Sequence, residues 1–87
     1  MSAATQIYYD NFDAVFLKLS PSIRIRVEAQ LDRIGLDLSA YPHYRLKGSA
    51  RFRARVEDYR IIYTFDMKQN TVHLLAMGHR REIYRRA

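Results

Sequence analysis

Cysteine is absent from this chain of 87 residues, and glycine, proline and tryptophan are scarce, numbering three, two and none. Without cysteine the chain can form neither a disulfide nor a cysteine-ligated metal site, which fits a reducing compartment. No run approaches the ~18 apolar residues that a membrane span requires. The first residues also lack the basic segment and apolar stretch of a signal peptide. We therefore expect a cytoplasmic protein that does not associate with membranes.

The length and composition predict one small globular domain that comprises residues 1–87. Hydrophobic residues make up 48% of the chain and charged residues 28%, which argues against intrinsic disorder. A chain of this size buries about 60–65% of the surface that its unfolded state exposes, so its stability is modest.

Acidic residues are scarce in the second half of the chain. Residues 1–44 hold four Lys and Arg against five Asp and Glu, a net charge of −1, whereas residues 45–87 hold eleven against four, a net charge of +7. A basic surface of this kind indicates a polyanionic partner, with nucleic acid first, although it can also serve solubility alone. Twelve of the fifteen basic residues are arginine, the better ligand for phosphate.

Apolar spacing predicts two helices in the first half. Residues 6–9 favour a short strand, after which Phe12, Val15, Phe16 and Leu19 follow the spacing of an amphipathic helix. Its start has Asp10 or Asn11 as a candidate cap. Ser20 and Pro21 predict the start of a second helix that runs to about Ile34, with Gly35 as its C-terminal stop. So short a link predicts an antiparallel helix hairpin.

In the second half of the chain the apolar residues recur with a period of two, which predicts strands at about 51–57, 59–66 and 71–77. The expected fold class is α+β: an N-terminal strand and an antiparallel helix hairpin packed on a three- to four-stranded, mainly antiparallel sheet.

Two tight turns, at Glu57-Asp58 and at residues 67–70, set the expected register. One face then collects the apolar residues Phe52, Ala54, Val56, Tyr59, Ile61, Tyr63, Phe65, Val72, Leu74 and Ala76. The other face collects Arg53, Arg55, Arg60, Ile62, Thr64, His73, Leu75 and Met77. A slip of one residue would bury the arginines, so the pattern supports this register.

The same register places Arg55 directly opposite Arg60, with Arg53 two residues away. Like charges that oppose each other in a sheet cost stability. Such a cluster is reasonable where an anion binds, and the alternative is three splayed, solvated arginines.

The stretch "GHRREIY", residues 78–84, follows the last strand. The register predicts Met77 beside Arg60, so that His79, Arg80 and Tyr84 converge on the arginines. Arg60 with Arg80 or Arg81 would bind phosphate, and His79 and Tyr84 are candidates for proton transfer. Tyr84 can equally be a core or interface aromatic residue.

Metal-free cleavage of an RNA backbone requires groups of these types. The 2′-hydroxyl must lose a proton, charge on the phosphate must be stabilised, and the leaving 5′-oxygen must gain a proton. Nearby guanidinium groups favour a tyrosine phenolate. The histidines and acids form no ligand-spaced group, and the chain has no glycine-rich phosphate loop. We expect no metal and no cofactor.

Three stretches resemble the RelE/ParE superfamily of bacterial toxin–antitoxin toxins, and its RelE branch most closely: "LKG" at 46–48, "RVEDYRIIY" at 55–63 and "GHRREIY" at 78–84. The order of strand, two helices and three strands is also similar, so the resemblance covers nearly the whole chain. It implies a ribosome-dependent endoribonuclease that cleaves messenger RNA in the ribosomal A site and leaves a 2′,3′-cyclic phosphate.

The resemblance also implies roles for individual residues. Arg60 matches the arginine that stabilises the phosphate, Arg80 the proposed general acid and Tyr84 the proposed general base, with His79 as a second candidate. Further RNA-binding candidates are Arg53, Arg55, Lys47, Arg45, Arg51 and Arg81. Arg53 and Arg55 stand where the family has a lysine pair, and an arginine there keeps the charge but removes a deprotonatable amine. The tail before Tyr84 looks shorter than in the best-known member.

The implied partners are a cognate RelB-like antitoxin, the ribosome with its messenger RNA, and operator DNA through the antitoxin complex only. Ile62, Leu75 and Met77, apolar residues on the polar face, would suit the antitoxin contact or be covered by the tail. Two alternatives stay open: a ParE-like inhibitor of DNA gyrase without nuclease activity, and an inactive binding module.

Overall fold

In the part of the chain that the structure describes, two helices pack on a five-stranded mixed sheet. The computed structural model describes residues 3–79. The elements in chain order are β1 (Thr5–Tyr8), α1 (Asp10–Phe16), α2 (Pro21–Leu36), β2 (Tyr44–Arg45), β3 (Phe52–Val56), β4 (Tyr59–Asp66) and β5 (Thr71–His79). The strand order in the sheet is β1-β5-β4-β3-β2. None of the helices in this part of the chain is long and apolar enough to cross a membrane.

The predicted α+β class is confirmed, with one short strand more than expected. The three strands β3, β4 and β5 form antiparallel pairs, as the period of two predicted. β1 pairs with β5 in parallel at one edge of the sheet. β2 is only two residues long and pairs with the start of β3, at the opposite edge.

The helix boundaries agree with the sequence at the start of α2 and differ at its end. Ser20 is the N-cap and Pro21 the first helical residue, as predicted. The predicted stop at Gly35 is wrong, because α2 continues to Leu36 and Gly35 is buried. The Ala4 amide donates a hydrogen bond of 2.8 Å to the Gly35 carbonyl. A Cβ at Gly35 would lie 3.6 Å from the Ala4 Cβ, an ordinary van der Waals distance, so the packing of the N-terminal segment on the helix does not require glycine there.

α1 begins at Asp10, but neither predicted residue caps it. The N-cap is Tyr9, and its side chain makes no capping hydrogen bond. Asp10 and Asp13 instead place negative charge in the first turn, where it interacts favourably with the helix dipole.

One core lies between the helices and the sheet. The buried members include Phe12, Val27, Leu31 and Ile34 from the helices and Ala54, Val56, Ile61, Tyr63, Val72, Leu74 and Met77 from the sheet. Phe52, Tyr59 and Phe65 pack against them. The predicted core face is therefore confirmed at nine of its ten positions and wrong at Ala76.

A β-bulge in β5 causes the exception. Tyr63 pairs with Leu74, but Ile62 pairs with Ala76, so Leu75 is an extra residue in β5. Every position after the bulge changes face relative to the regular alternation. Ala76 moves to the outer face, whereas Met77 pairs with Ile61 and joins the core.

The predicted apolar contact surface is wrong at Ile62 and Met77, because both side chains are buried. Met77 is 1% exposed within the core, and Ile62 on the outer face is fully buried. Leu46, from the segment between β2 and β3, packs against Ile62 and Ala76. Met77 and Ile62 are therefore not available as exposed contacts for a partner.

Candidate functional site

The β3–β4 hairpin brings Arg55 and Arg60 directly opposite each other, as predicted. Glu57 and Asp58 form the two-residue turn between the strands, and Glu57 has a φ of 53°. Positive φ is the requirement of tight hairpin turns and strains a residue other than glycine. The Glu57 carboxylate forms an ion pair with Arg26 of α2, so this contact links the turn to the helix.

The arginines differ in their surroundings. Arg55 is exposed, and its Nε donates a hydrogen bond of 3.3 Å to the backbone carbonyl of Glu57. Arg60 is half-buried. The Glu57 carboxylate pairs with Arg26 on the helix. The two guanidinium groups thus belong to one basic patch on the outer face of the sheet.

Arg53 extends this patch toward the edge of the sheet. It pairs with Ile62 of β4 and with Tyr44 of β2, so all three share the outer face. The Arg53 guanidinium lies over the Tyr44 ring, 5.8 Å from its centroid. Tyr44 is 58% exposed. This tyrosine was not among the predicted site residues, since a two-residue strand gives no periodic signal.

The other predicted RNA-binding residues of the described chain do not join the patch in the same way. Arg45 pairs with Phe52, on the core side of the sheet, and its guanidinium lies 5.5 Å from the centroid of that ring. Lys47 and Arg51 are exposed in the segment that connects β2 with β3. The Arg51 carbonyl accepts a hydrogen bond of 2.8 Å from the Leu46 amide, which closes this segment.

The bulge in β5 changes what lies beside Arg60. The predicted neighbour Met77 is wrong, because Gly78 pairs with Arg60. His79 pairs with Tyr59, and their rings meet edge to face with centroids 6.1 Å apart. Directly opposed residues share a face, so His79 lies on the side of Tyr59 and not on that of Arg60. Arg80, Arg81 and Tyr84 lie outside the described residues.

The other two histidines have structural contacts. His43 Nε2 lies 2.7 Å from the Leu38 carbonyl, which can only accept, so this nitrogen carries a proton. In the neutral ring Nδ1 then accepts a hydrogen bond of 2.7 Å from the Tyr63 hydroxyl. Burial raises the pKa of Tyr63, so it remains a donor. These bonds hold the segment before β2, which carries Tyr44, against the sheet.

His73 lies on the outer face near the opposite edge, where its Nδ1 is 3.1 Å from the Tyr9 hydroxyl. Among residues 3–79, histidines and acids form no group that could hold a metal ion.

A groove of about 360 Å³ lies between β1 and the two helices. Its lining includes the acids Asp13, Glu28 and Asp32 beside Tyr8. Burial, followed by these three carboxylates, raises the pKa of Tyr8. The acids of this groove come from the first half of the sequence, whereas the arginines of the basic patch come from the second half.

Comparison with known proteins identifies the family. The model of the ParE toxin of type II toxin–antitoxin systems matches residues 9–84. A search of curated proteins gives no match.

Several solved structures of RelE toxins share this fold. A mutant of E. coli RelE in the free state superposes with a TM-score of 0.76, at 14% identity, over 97% of this chain and 93% of that one. The archaeal RelE–RelB complex from Pyrococcus horikoshii gives 0.74 at 19% identity, over 91% and 97%. The RelBE2 toxin–antitoxin complex from Mycobacterium tuberculosis gives 0.72 at 23% identity, over 91% and 93%.

The structural likeness establishes the fold, and the family model covers most of the chain. The chain therefore belongs to the ParE toxin family of type II toxin–antitoxin systems, within the RelE/ParE superfamily of toxins.

Proposed function

We propose that this toxin is a ribosome-dependent endoribonuclease that cleaves messenger RNA in the A site. The observation that carries the proposal is the direct opposition of Arg55 and Arg60, with Arg53 on the same face. Opposed like charges cost the free protein stability. A bound phosphate would remove that cost, so the patch suits an RNA backbone.

In the proposed reaction the 2′-oxygen attacks the adjacent phosphorus as its proton passes to the phenolate oxygen of ionised Tyr84. The bond from phosphorus to the 5′-oxygen breaks, and Arg80 donates a proton to that oxygen. The products are a 2′,3′-cyclic phosphate and a free 5′-hydroxyl. Arg60 stabilises the negative charge that develops on the phosphate, while Arg53 and Arg55 bind the backbone. His79 is the second candidate for proton transfer, although it pairs with Tyr59 and not with Arg60.

The proposed setting is the bacterial cytoplasm, with residues 1–87 acting as one toxin domain. The solved neighbours include complexes of RelE toxins with RelB antitoxins. We therefore propose a RelB-like antitoxin as the partner, with operator DNA bound only through the antitoxin complex. Such an antitoxin would neutralise the basic patch with acidic groups or cover it.

Inhibition of DNA gyrase without RNA cleavage is the second candidate, and the matching ParE model favours it. An inactive binding module is the third. Two assays on the purified protein separate them. One follows cleavage of a defined messenger RNA on translating ribosomes by primer extension, and the other follows supercoiling by gyrase.

We expect Arg60→Ala to lower the cleavage rate about 10²- to 10³-fold, the usual effect of losing one group that stabilises a transition state. Arg80→Ala should have a comparable effect, and each should abolish growth arrest. Arg33→Ala is the matched control, because Arg33 is exposed in the last turn of α2, away from the sheet. Undiminished cleavage by a folded double variant refutes the assignment. Intact A-site RNA together with blocked supercoiling establishes gyrase inhibition instead.

A further inference from the structure

The edge of the sheet beside β2 contains an open groove. β2 pairs only with Phe52 and Arg53, whereas β3 continues to Val56. The groove, which lies where β3 extends past β2, has a volume of about 260 Å³. Its walls are Gln30, Tyr41, Tyr44, Arg53, Ala54 and Arg55.

The chemistry of the walls suits a nucleic acid base. Tyr44 presents a ring that is 58% exposed, and the Arg53 guanidinium lies 5.8 Å from its centroid. Aromatic rings and guanidinium planes are the two side-chain surfaces on which unpaired bases stack. At the far wall the Gln30 amide donates a hydrogen bond of 2.5 Å to the Tyr41 hydroxyl. Amide and hydroxyl groups are suited to hydrogen bonds with the edge of a base.

The position and the size of the groove narrow the choice of ligand. Arg53 and Arg55 are two residues apart on one face of β3, about 7 Å along the strand. They therefore connect the groove with Arg60, which opposes Arg55. The volume falls below the ~300–1,000 Å³ of sites for drug-sized ligands, so it suits a single planar group.

We propose that this groove holds one unstacked base of single-stranded RNA, stacked on Tyr44, while Arg55 and Arg60 bind the neighbouring phosphate. Tyr44 is then a positioning residue, since it touches a base and not the reacting atoms. This inference deepens the proposed function and rests on it for the choice of RNA. An extended protein segment that pairs with the part of β3 beyond β2 is the competing occupant, and it would require no aromatic ring.

Binding of short single-stranded RNA, followed by fluorescence anisotropy, tests the proposal on the full chain. The oligonucleotides carry 2′-O-methyl groups, which remove the attacking hydroxyl, and a single abasic nucleotide is moved along the series. Wild-type protein should lose affinity at one abasic position. Tyr44→Ala should weaken binding of the intact RNA roughly 5- to 150-fold, the range for loss of one stacked base. For the RNA that is abasic at that one position, Tyr44→Ala should have the same affinity as the wild-type protein, or a higher one.

Two variants control the experiment. Tyr44→Phe keeps the ring and should retain wild-type affinity. Tyr8→Ala removes another exposed tyrosine, from β1 at the opposite edge of the sheet, and should leave RNA binding unchanged. Thermal unfolding of each variant establishes that it is folded. If Tyr44→Ala is unfolded, the abasic series on wild type and Tyr44→Phe decides the question alone.

Cleavage on translating ribosomes, measured with the same variants, separates the two proposals. Tyr44→Ala should raise KM more than it lowers kcat. Base-dependent binding without any cleavage supports the groove and refutes the nuclease. Normal cleavage by Tyr44→Ala, with affinity that is insensitive to every abasic position, refutes the groove and leaves the nuclease standing. A protein that binds no RNA refutes the groove.

Discussion

Reversing one charge of the opposed arginine pair tests whether the pair costs stability. Arg55→Glu replaces repulsion across the β3–β4 ladder with attraction to Arg60. An opposed like pair destabilises and an opposite pair stabilises by about 0.2–1 kcal/mol each, so the swing is about 0.4–2 kcal/mol. The variant also loses the Arg55–Glu57 hydrogen bond, which is independent of Arg60. A double-mutant cycle with Arg60→Gln cancels that loss.

Urea unfolding of the four proteins in the cycle gives the coupling free energy. We expect about 0.4–2 kcal/mol in low salt, in favour of glutamate at position 55 when Arg60 is present. It should shrink in 1 M salt, where the screening length falls to about 3 Å. Arg51→Glu, combined with Arg60→Gln, is the control and should be additive, since Arg51 lies outside the strands. Zero coupling, or coupling of opposite sign, refutes the reasoning. Arg55→Glu should also weaken RNA binding and lower its salt dependence.

Two further predictions concern Tyr63. Tyr63→Phe removes the donor to His43 Nδ1 and should lower the free energy of unfolding by about 1–2 kcal/mol. This loss corresponds to a decrease in Tm of roughly 4–16 °C. A change in Tm smaller than the error of calorimetry contradicts the prediction. Burial raises the pKa of Tyr63 above its ordinary value of 10.0, so the folded state holds this proton more tightly than the unfolded state. Its contribution is complete below about pH 10 and is lost as the pH rises further. Urea unfolding between about pH 9 and 11 should show a smaller loss for Tyr63→Phe than for wild type, and equal losses count against the assignment.

Periodicity predicted the regular parts of this fold. The alternation in β3 and β4 correctly gave the Glu57-Asp58 turn, the opposition of Arg55 and Arg60, and the core side chains of both strands. The sequence of this one hairpin is sufficient to set its register, because arginines occur on one face and apolar side chains on the other. The start of α2 was equally clear, because serine favours the N-cap position and the fixed φ of proline suits the first helical residue.

Local irregularities were not predictable in the same way. The bulge at Leu75 lies in the run "VHLLAM", where apolar residues occupy both faces and a shift leaves little trace in the pattern. At the end of α2, the Gly35 carbonyl bonds to the Ala4 amide, more than thirty positions away in the chain, and such a contact leaves no local signal in the sequence. The bulge also made the predicted site wrong at one position, because it shifts the register so that Gly78 and not Met77 lies beside Arg60.

The position of β5 in the sheet has a consequence for the order of synthesis. β5 is the last strand of the described chain, yet it lies between β1 and β4 and holds the first strand in place. On a ribosome, β1 therefore cannot pair with β5 until the residues up to β5 have been synthesised. At about 5–20 residues per second this wait is roughly 4–16 s. The sheet cannot close while the nascent chain is still short, so a truncated product would lack the completed fold.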